Sequence, residues 1–145
     1  MIQYWHMQMH PDDQSFSKNI YSILENKKII GLGDWPEGQN EIDAFKNRVK
    51  VNDIVALKNG SKLIALVQVI GGYYEVRDDD SETDWIVYRR PIRVLDWEVG
   101  ERILKQPRKT LVICADNNAE TTKTIKEWHK QVNDILTKRG LPLVV

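Results

Sequence analysis

The chain has 145 residues, enough for one domain with a substantial core. Its 21 basic and 21 acidic side chains cancel, which removes the electrostatic case for indiscriminate polyanion binding but leaves room for a local basic stripe. A single cysteine rules out a disulfide framework within the chain, and no run approaches the roughly 20 apolar residues of a membrane helix. The N-terminus MIQYWHMQMH has neither the basic start nor the apolar centre of a signal peptide, so a soluble cytoplasmic protein is expected.

Residues 2–9 alternate, with Trp5, Met7 and Met9 on one side and Tyr4, His6, Gln8 and His10 on the other, which predicts a strand with the first set inward. Pro11-Asp12-Asp13 stops it. Asp13 or Ser15 can cap a helix running to about Glu25, with Phe16, Ile20, Ile23 and Leu24 on one face. A loop or short strand follows over residues 27–39, carrying Ile29 and Ile30 and then Gly31-Leu32-Gly33-Asp34-Trp35-Pro36-Glu37-Gly38. Ile42, Phe45 and Val49 recur at helical spacing, predicting a second short helix over residues 41–49.

Residues 51–70 read as a β-hairpin that organises the chain. Asn59-Gly60 is a favoured pair for a tight turn, with both residues at positive φ. Both arms are apolar on both faces, whereas a strand with one wet face alternates more cleanly, so the hairpin is expected to be covered on both sides. Gly71-Gly72 breaks the second arm, Tyr73-Tyr74 follows, and residues 77–84 form a polar, acidic loop ending at Trp85. A strand resumes over residues 86–97, with Pro91 predicting an edge position or a bulge. Residues 110–115 are a last buried strand. Ile125, Trp128, Val132, Ile135 and Leu136 form one face of a helix over residues 120–139, ended by Gly140 and Pro142.

No catalytic signature is present: there is no phosphate loop, no Gly-x-Ser-x-Gly and no His-Glu-x-x-His, so no enzyme activity is expected. His6 and His10 share a strand face but find no third metal ligand, and Cys114 lies in an apolar run that suits a buried thiol. Asp78-Asp79-Asp80 lacks the glycine and the bidentate glutamate of a calcium loop and reads as a solvated loop. Neither metal nor cofactor is expected.

The distinctive feature is five tryptophans. Trp5 and Trp128 lie on apolar faces and read as core, while Trp97, near a strand end, is left open. Trp35 and Trp85 sit in polar, turn-rich loops, where an indole loses little by exposure and gains much by stacking on a flat ligand; capping a barrel end is the alternative. Arg89, Arg90 and Arg93 share one strand, and Arg102, Lys105, Arg108 and Lys109 cluster around Pro107. Singly each suits a solvated face; clustered beside aromatic loops, they suit phosphate contacts.

The order of these features resembles the EVE/YTH branch of the PUA-like fold, above all the EVE-like domains at the N-terminus of McrB-type modification-dependent restriction ATPases. The resemblance rests on Tyr4-Trp5 in a first strand ending near His10-Pro11, the Gly-rich loop with Trp35, Val51-Asn52-Asp53-Ile54-Val55 leading into the hairpin, and the strand ending Val94-Leu95-Asp96-Trp97. It covers about residues 2–115. It implies an α+β fold, a small β-barrel flanked by helices, over residues 1–116. Residues 117–145 would then be a C-terminal amphipathic helix leading to a further domain, such as an AAA+ GTPase motor that works with a nuclease subunit. It also implies a DNA-binding reader that flips a methylated adenine or modified cytosine into an aromatic pocket. On that reading Trp35 and Trp85 are the walls, Gln8, Met9 and His10 face the base edge, and Asp34, Tyr73 and Tyr74 lie beside it. Arg89, Arg90, Arg93, Arg108 and Lys109 would hold phosphates of double-stranded DNA. An RNA-binding module of the same fold and a protein-interaction or small-ligand domain are the alternatives. The sequence departs from the family at Asn52, where relatives commonly carry glycine, and in its acidic loop.

Overall fold

The computed structural model describes residues 2–8, 19–59, 62–81, 83–98 and 111–138. In chain order these form β1 (Tyr4–Gln8), α1 (Asn19–Ser22) running into a π-turn (Ile23–Lys27), β2 (Ile29–Leu32), a 3-10 turn (Pro36–Gly38), α2 (Gln39–Asn47), β3 (Ile54–Asn59), β4 (Lys62–Val69), β5 (Tyr74–Glu75), β6 (Tyr88–Trp97), β7 (Leu111–Ile113) and α3 (Glu120–Lys138). The fold is mixed α+β: a curled, half-barrel sheet flanked by helices. Its strand order is β2-β6-β4-β3-β1-β7, with β5 added on β6. The cap predicted at Asp13 or Ser15 lies outside the described residues.

The β3–β4 hairpin is at the centre of this sheet and is buried on both faces, as its composition predicts. Val55, Leu57, Ala65, Val67 and Val69 join Trp5, Met7, Ile20, Ile23 and Phe45 in the inner core. Ile54, Ala56, Leu63 and Leu66 face the other way, into a second core under Ile125, Trp128 and Val132 of α3. The 3.6-residue pattern of α3 and the two-sided apolarity of the hairpin are therefore two halves of one interface. β1 runs parallel to β3, with Tyr4 opposite Ile54 and Gln8 opposite Lys58, and pairs antiparallel with β7 on its other side.

Two details of the hairpin differ from expectation. Asn59 pairs with Lys62, so the residues between the arms are Gly60 and Ser61, which lie outside the described set, and Asn59 itself is ordinary strand. The left-handed position is instead Asn52, at φ 79° in the turn closed by Asp53 N donating to Lys50 O. Asparagine is, after glycine, the residue that best tolerates that conformation.

Pro91 is neither on an edge strand nor at a bulge. β6 is internal, paired with β2 on one side and with β4 and then β5 on the other, and its irregularity falls further on, where the register shifts between Leu66 and Val67. The proline is tolerated because β4 ends beside it. Ile70 N donates to Pro91 O, and the chain then leaves the ladder at Gly71, where an added Cβ would come within 2.6 Å of the proline ring. The missing N–H thus falls in the gap between β4 and β5.

Asp53 ties the N-terminus to this frame. It is buried and accepts from Gln3 N at 3.0 Å, Trp5 Nε1 at 3.0 Å and Lys50 N at 2.9 Å. Three N–H donors on the carboxylate offset the cost of burying it.

Candidate functional site

The registers divide the predicted site residues between two ends of the sheet. Met7 pairs with Leu57, Leu57 with Ala65 and Ala65 with Trp97, so these four form one row across β1, β3, β4 and β6. Gln8, half-buried, is one residue beyond that row. Trp97, at the same end of the sheet but three strands away, is half-buried and stacks on the exposed Tyr21, ring centroids 5.8 Å apart and planes at 25°. Leu111, where β7 begins, is opposite Met7 in the same region. Met9, His10, Arg108 and Lys109 lie outside the described residues.

Trp35 and Trp85 belong to the opposite end. Leu32 pairs with Tyr88 at the start of β6, and Val87 N donates to Leu32 O, which sets the loops carrying the two tryptophans side by side. The full length of β6, roughly 30 Å at about 3.3 Å per residue, separates this region from Trp97. Gln8 and the Trp35/Trp85 pair therefore do not converge on one site. Both tryptophans are half-buried against the inner core. The Trp35 ring covers Gly38, where an added Cβ would fall 1.9 Å from the indole, so glycine is required for this packing. The Trp85 indole N–H is buried without an acceptor among the described residues.

Around these loops runs a charged network absent from the sequence reading. Arg77 donates to Asp34 Oδ2 at 3.0 Å and to the Tyr88 hydroxyl at 3.2 Å and is 3.5 Å from Glu75. The Arg77 hydrogen bond is the first cause of the lowered Asp34 pKa, and Asp34 in turn raises that of Arg77. Lys46 Nζ is 4.4 Å from the Tyr88 ring centre and 5.7 Å from that of Tyr73. Tyr73 and Tyr74 are 44% and 41% exposed. Tyr74 is cross-strand from Arg89 and Glu75 from Tyr88, so consecutive β5 side chains take opposite faces. Sequence offers no signal for an Asp34–Arg77 contact, since the two are brought together only by β2 and β5 flanking β6.

Two of the predicted phosphate contacts have a different role. Arg89 is buried and donates to Ile86 O at 2.7 Å, Thr83 O at 2.8 Å and Asp79 Oδ2 at 2.6 Å. Arg90 is also buried and donates to Phe45 O, Lys46 O and Gly71 O, stapling the end of α2 to the β4–β5 gap. Burial lowers the Arg90 pKa against the opposing pull of Asp53 and Tyr73. These guanidinium groups serve backbone carbonyls, and a phosphate would have to displace buried bonds. Arg93 is exposed, its Nε donating to Gln68 Oε1 at 2.6 Å. Most of the acidic loop is exposed, but Asp79 is held by side-chain bonds. Asp79 accepts from Ser81, Thr83 and Arg89, which hold its pKa well below the usual carboxylate range.

His6 is buried on the α3 face of β1, and burial first, then the nearby Lys58 charge, push its imidazole down to about 4. Burial also raises the Cys114 thiol to about 11, against hydrogen bonding by Thr122. Such a thiol is unreactive at neutral pH. Among the described residues no group of three or more His, Cys, Asp or Glu is placed to hold a metal, and no helix is long and apolar enough to cross a membrane.

No family model and no curated protein matches the chain. Solved structures do. A crystal structure of a Pseudomonas putida protein superposes with a TM-score of 0.52 at 12% identity, over 86% of this chain and 97% of that one. A hypothetical protein from Leishmania major gives 0.55 at 12% identity, over 90% and 97%. At such identity the likeness establishes a shared fold, and nearly the whole of each neighbour takes part in it.

Proposed function

We propose that this chain is a non-enzymatic nucleic-acid reader that accepts a modified base, methylated adenine or modified cytosine, at the end of the sheet carrying Gln8 and Trp97. One observation carries the choice of end: the row Met7–Leu57–Ala65–Trp97 puts a half-buried indole, stacked on Tyr21, at the same end of the sheet as the end of β1. The EVE/YTH resemblance assigns that strand end to the base edge, and a stacking wall must stand at the same end. In a restriction system of the McrB type, such a module would supply specificity to a motor and a nuclease subunit.

The energetics suit this role. Flipping a base costs a few kcal/mol, which stacking on Trp97 offsets. A buried methyl adds only about 0.8 kcal/mol, so stronger selectivity requires that the unmodified base leave a polar group unsatisfied. Intrinsic tryptophan fluorescence tests the reading at low salt, with duplexes carrying N6-methyladenine, 5-methylcytosine, 5-hydroxymethylcytosine or no modification, and with the matching RNA strands. Quenching that depends on the modification is expected. Trp97→Ala should abolish that dependence with a cooperative fold retained, while Trp35→Ala should preserve it. The reverse result would return the pocket to the Trp35/Trp85 end, and equal quenching by every duplex would refute a reader.

A further inference from the structure

The other end of the sheet carries a second feature suited to nucleic acid. Lys46, Arg48 and Lys50 alternate through the end of α2 into the Lys50–Asp53 turn, Arg48 and Lys50 being exposed. The turn's Asn52 accepts from Gln68 Nε2, and Gln68 Oε1 accepts from Arg93 Nε, so a hydrogen-bond chain brings exposed Arg93 to the same turn. Tyr73 presents an aromatic face beside the Lys46 ammonium, and Val51, on the turn itself, is 50% exposed. Lys46 lies 3.8 Å from Glu75, while Asp53 is buried and faces its own three N–H donors. The frame is rigid, because Arg90 ties Phe45 O, Lys46 O and Gly71 O together from within.

We infer that the surface running from Tyr73 and Lys46 through Arg48 and Lys50 to the Asn52 turn and Arg93 is a second nucleic-acid contact that holds an unpaired strand by its phosphates and stacks one of its bases on Tyr73. Positive charge interleaved with an exposed aromatic ring is the arrangement that binds single strands without sequence preference. An acidic peptide would use the charges but not an isolated ring face, and the apolar exposure here is too scattered to form the centre of a protein interface. The inference shares with the proposed function the premise that the partner is nucleic acid, and it does not depend on the base pocket.

The test is a salt series of binding isotherms with unmodified oligothymidine and oligouridine of about 15 nucleotides, and with the modified duplex that wild type prefers. For R48E/K50E, affinity for the unmodified single strands should fall at least tenfold near 50 mM salt. The slope of log K against log salt should become shallower by about 1.4, at roughly 0.7 per phosphate lost on a single strand. Tyr73→Ala should lower affinity several-fold with the slope unchanged. In both variants the ratio of modified to unmodified binding should equal that of wild type. Preference for one of the two oligomers names DNA or RNA as the strand held. If R48E/K50E and Tyr73→Ala both bind like wild type, the second contact is refuted and the base reader stands. If Trp97→Ala keeps the wild-type preference while R48E/K50E loses affinity, the reader site fails and this surface stands. If wild type binds neither oligomer, the second contact is refuted whatever the duplexes show.

Discussion

Asp53 shows how much can hang on one side chain. Its two oxygens satisfy three N–H donors, from Gln3, Trp5 and Lys50, and so join the chain start, the first strand and the hairpin entry. Asp53→Ala should leave all three donors unpaired in a buried place and destabilise by about 3–5 kcal/mol, while Asp53→Asn should cost less because one oxygen remains. Denaturant unfolding with an unchanged m-value would register both. A midpoint equal to wild type for the alanine variant would remove Asp53 from its structural role. Arg89 and Arg90 illustrate the same point from the cationic side. Their sequence neighbourhood suggests phosphates, and their burial commits them to carbonyls and Asp79.

Among the elements, the hairpin and its entry turn are the most informative. The turn places Asn52 at φ 79°, a conformation in which a β-branched residue clashes with its own backbone. Asn52→Gly is therefore expected to change stability by less than about 1 kcal/mol, whereas Asn52→Val should destabilise by about 1–2 kcal/mol; thermal melts compare them directly. Equal melting temperatures for the two would contradict the strain argument. α3 is an element of a different kind. It covers the outer sheet face with apolar residues but also carries polar ties, Trp128 Nε1 to Asp96 at 2.7 Å and His129 Nδ1 to the Tyr4 hydroxyl at 2.8 Å.

At the scale of the whole molecule, buried histidines make stability depend on pH. His6 is held at about 4 against an ordinary 6.5, mainly by burial, and burial lowers His129 as well. Between those values the unfolded chain binds more protons than the folded one. The stability present above pH 6.5 is therefore lost progressively as pH falls toward 4, by on the order of 3 kcal/mol for His6 alone. Asp79 acts in the same direction at lower pH, since a carboxylate with a depressed pKa loses its contribution on protonation. Urea unfolding at pH 7, 5.5 and 4.5 should show this decline, and His6→Gln, which cannot titrate, should flatten it over that window. An identical decline in the variant would assign the effect to other groups.

The sequence by itself determined the elements whose signal is local. The alternation of β1, the two-sided hairpin, the helical stripe of α3 and the core roles of Trp5 and Trp128 all follow from which residues stand next to which. The tertiary structure alone decided what converges. Along the chain Trp35 and Trp85 look the better candidates and Trp97 is left open, and only the registers across β1, β3, β4 and β6 put Trp97 at the same end as Gln8 and the other two at the far end. Arg77 meets Asp34 and Arg90 meets Gly71 across long stretches of chain that carry no mark of the meeting. The physical reason is that periodicity reports the face a residue takes within its own element, whereas a binding site is a relation between elements, fixed by strand order and register.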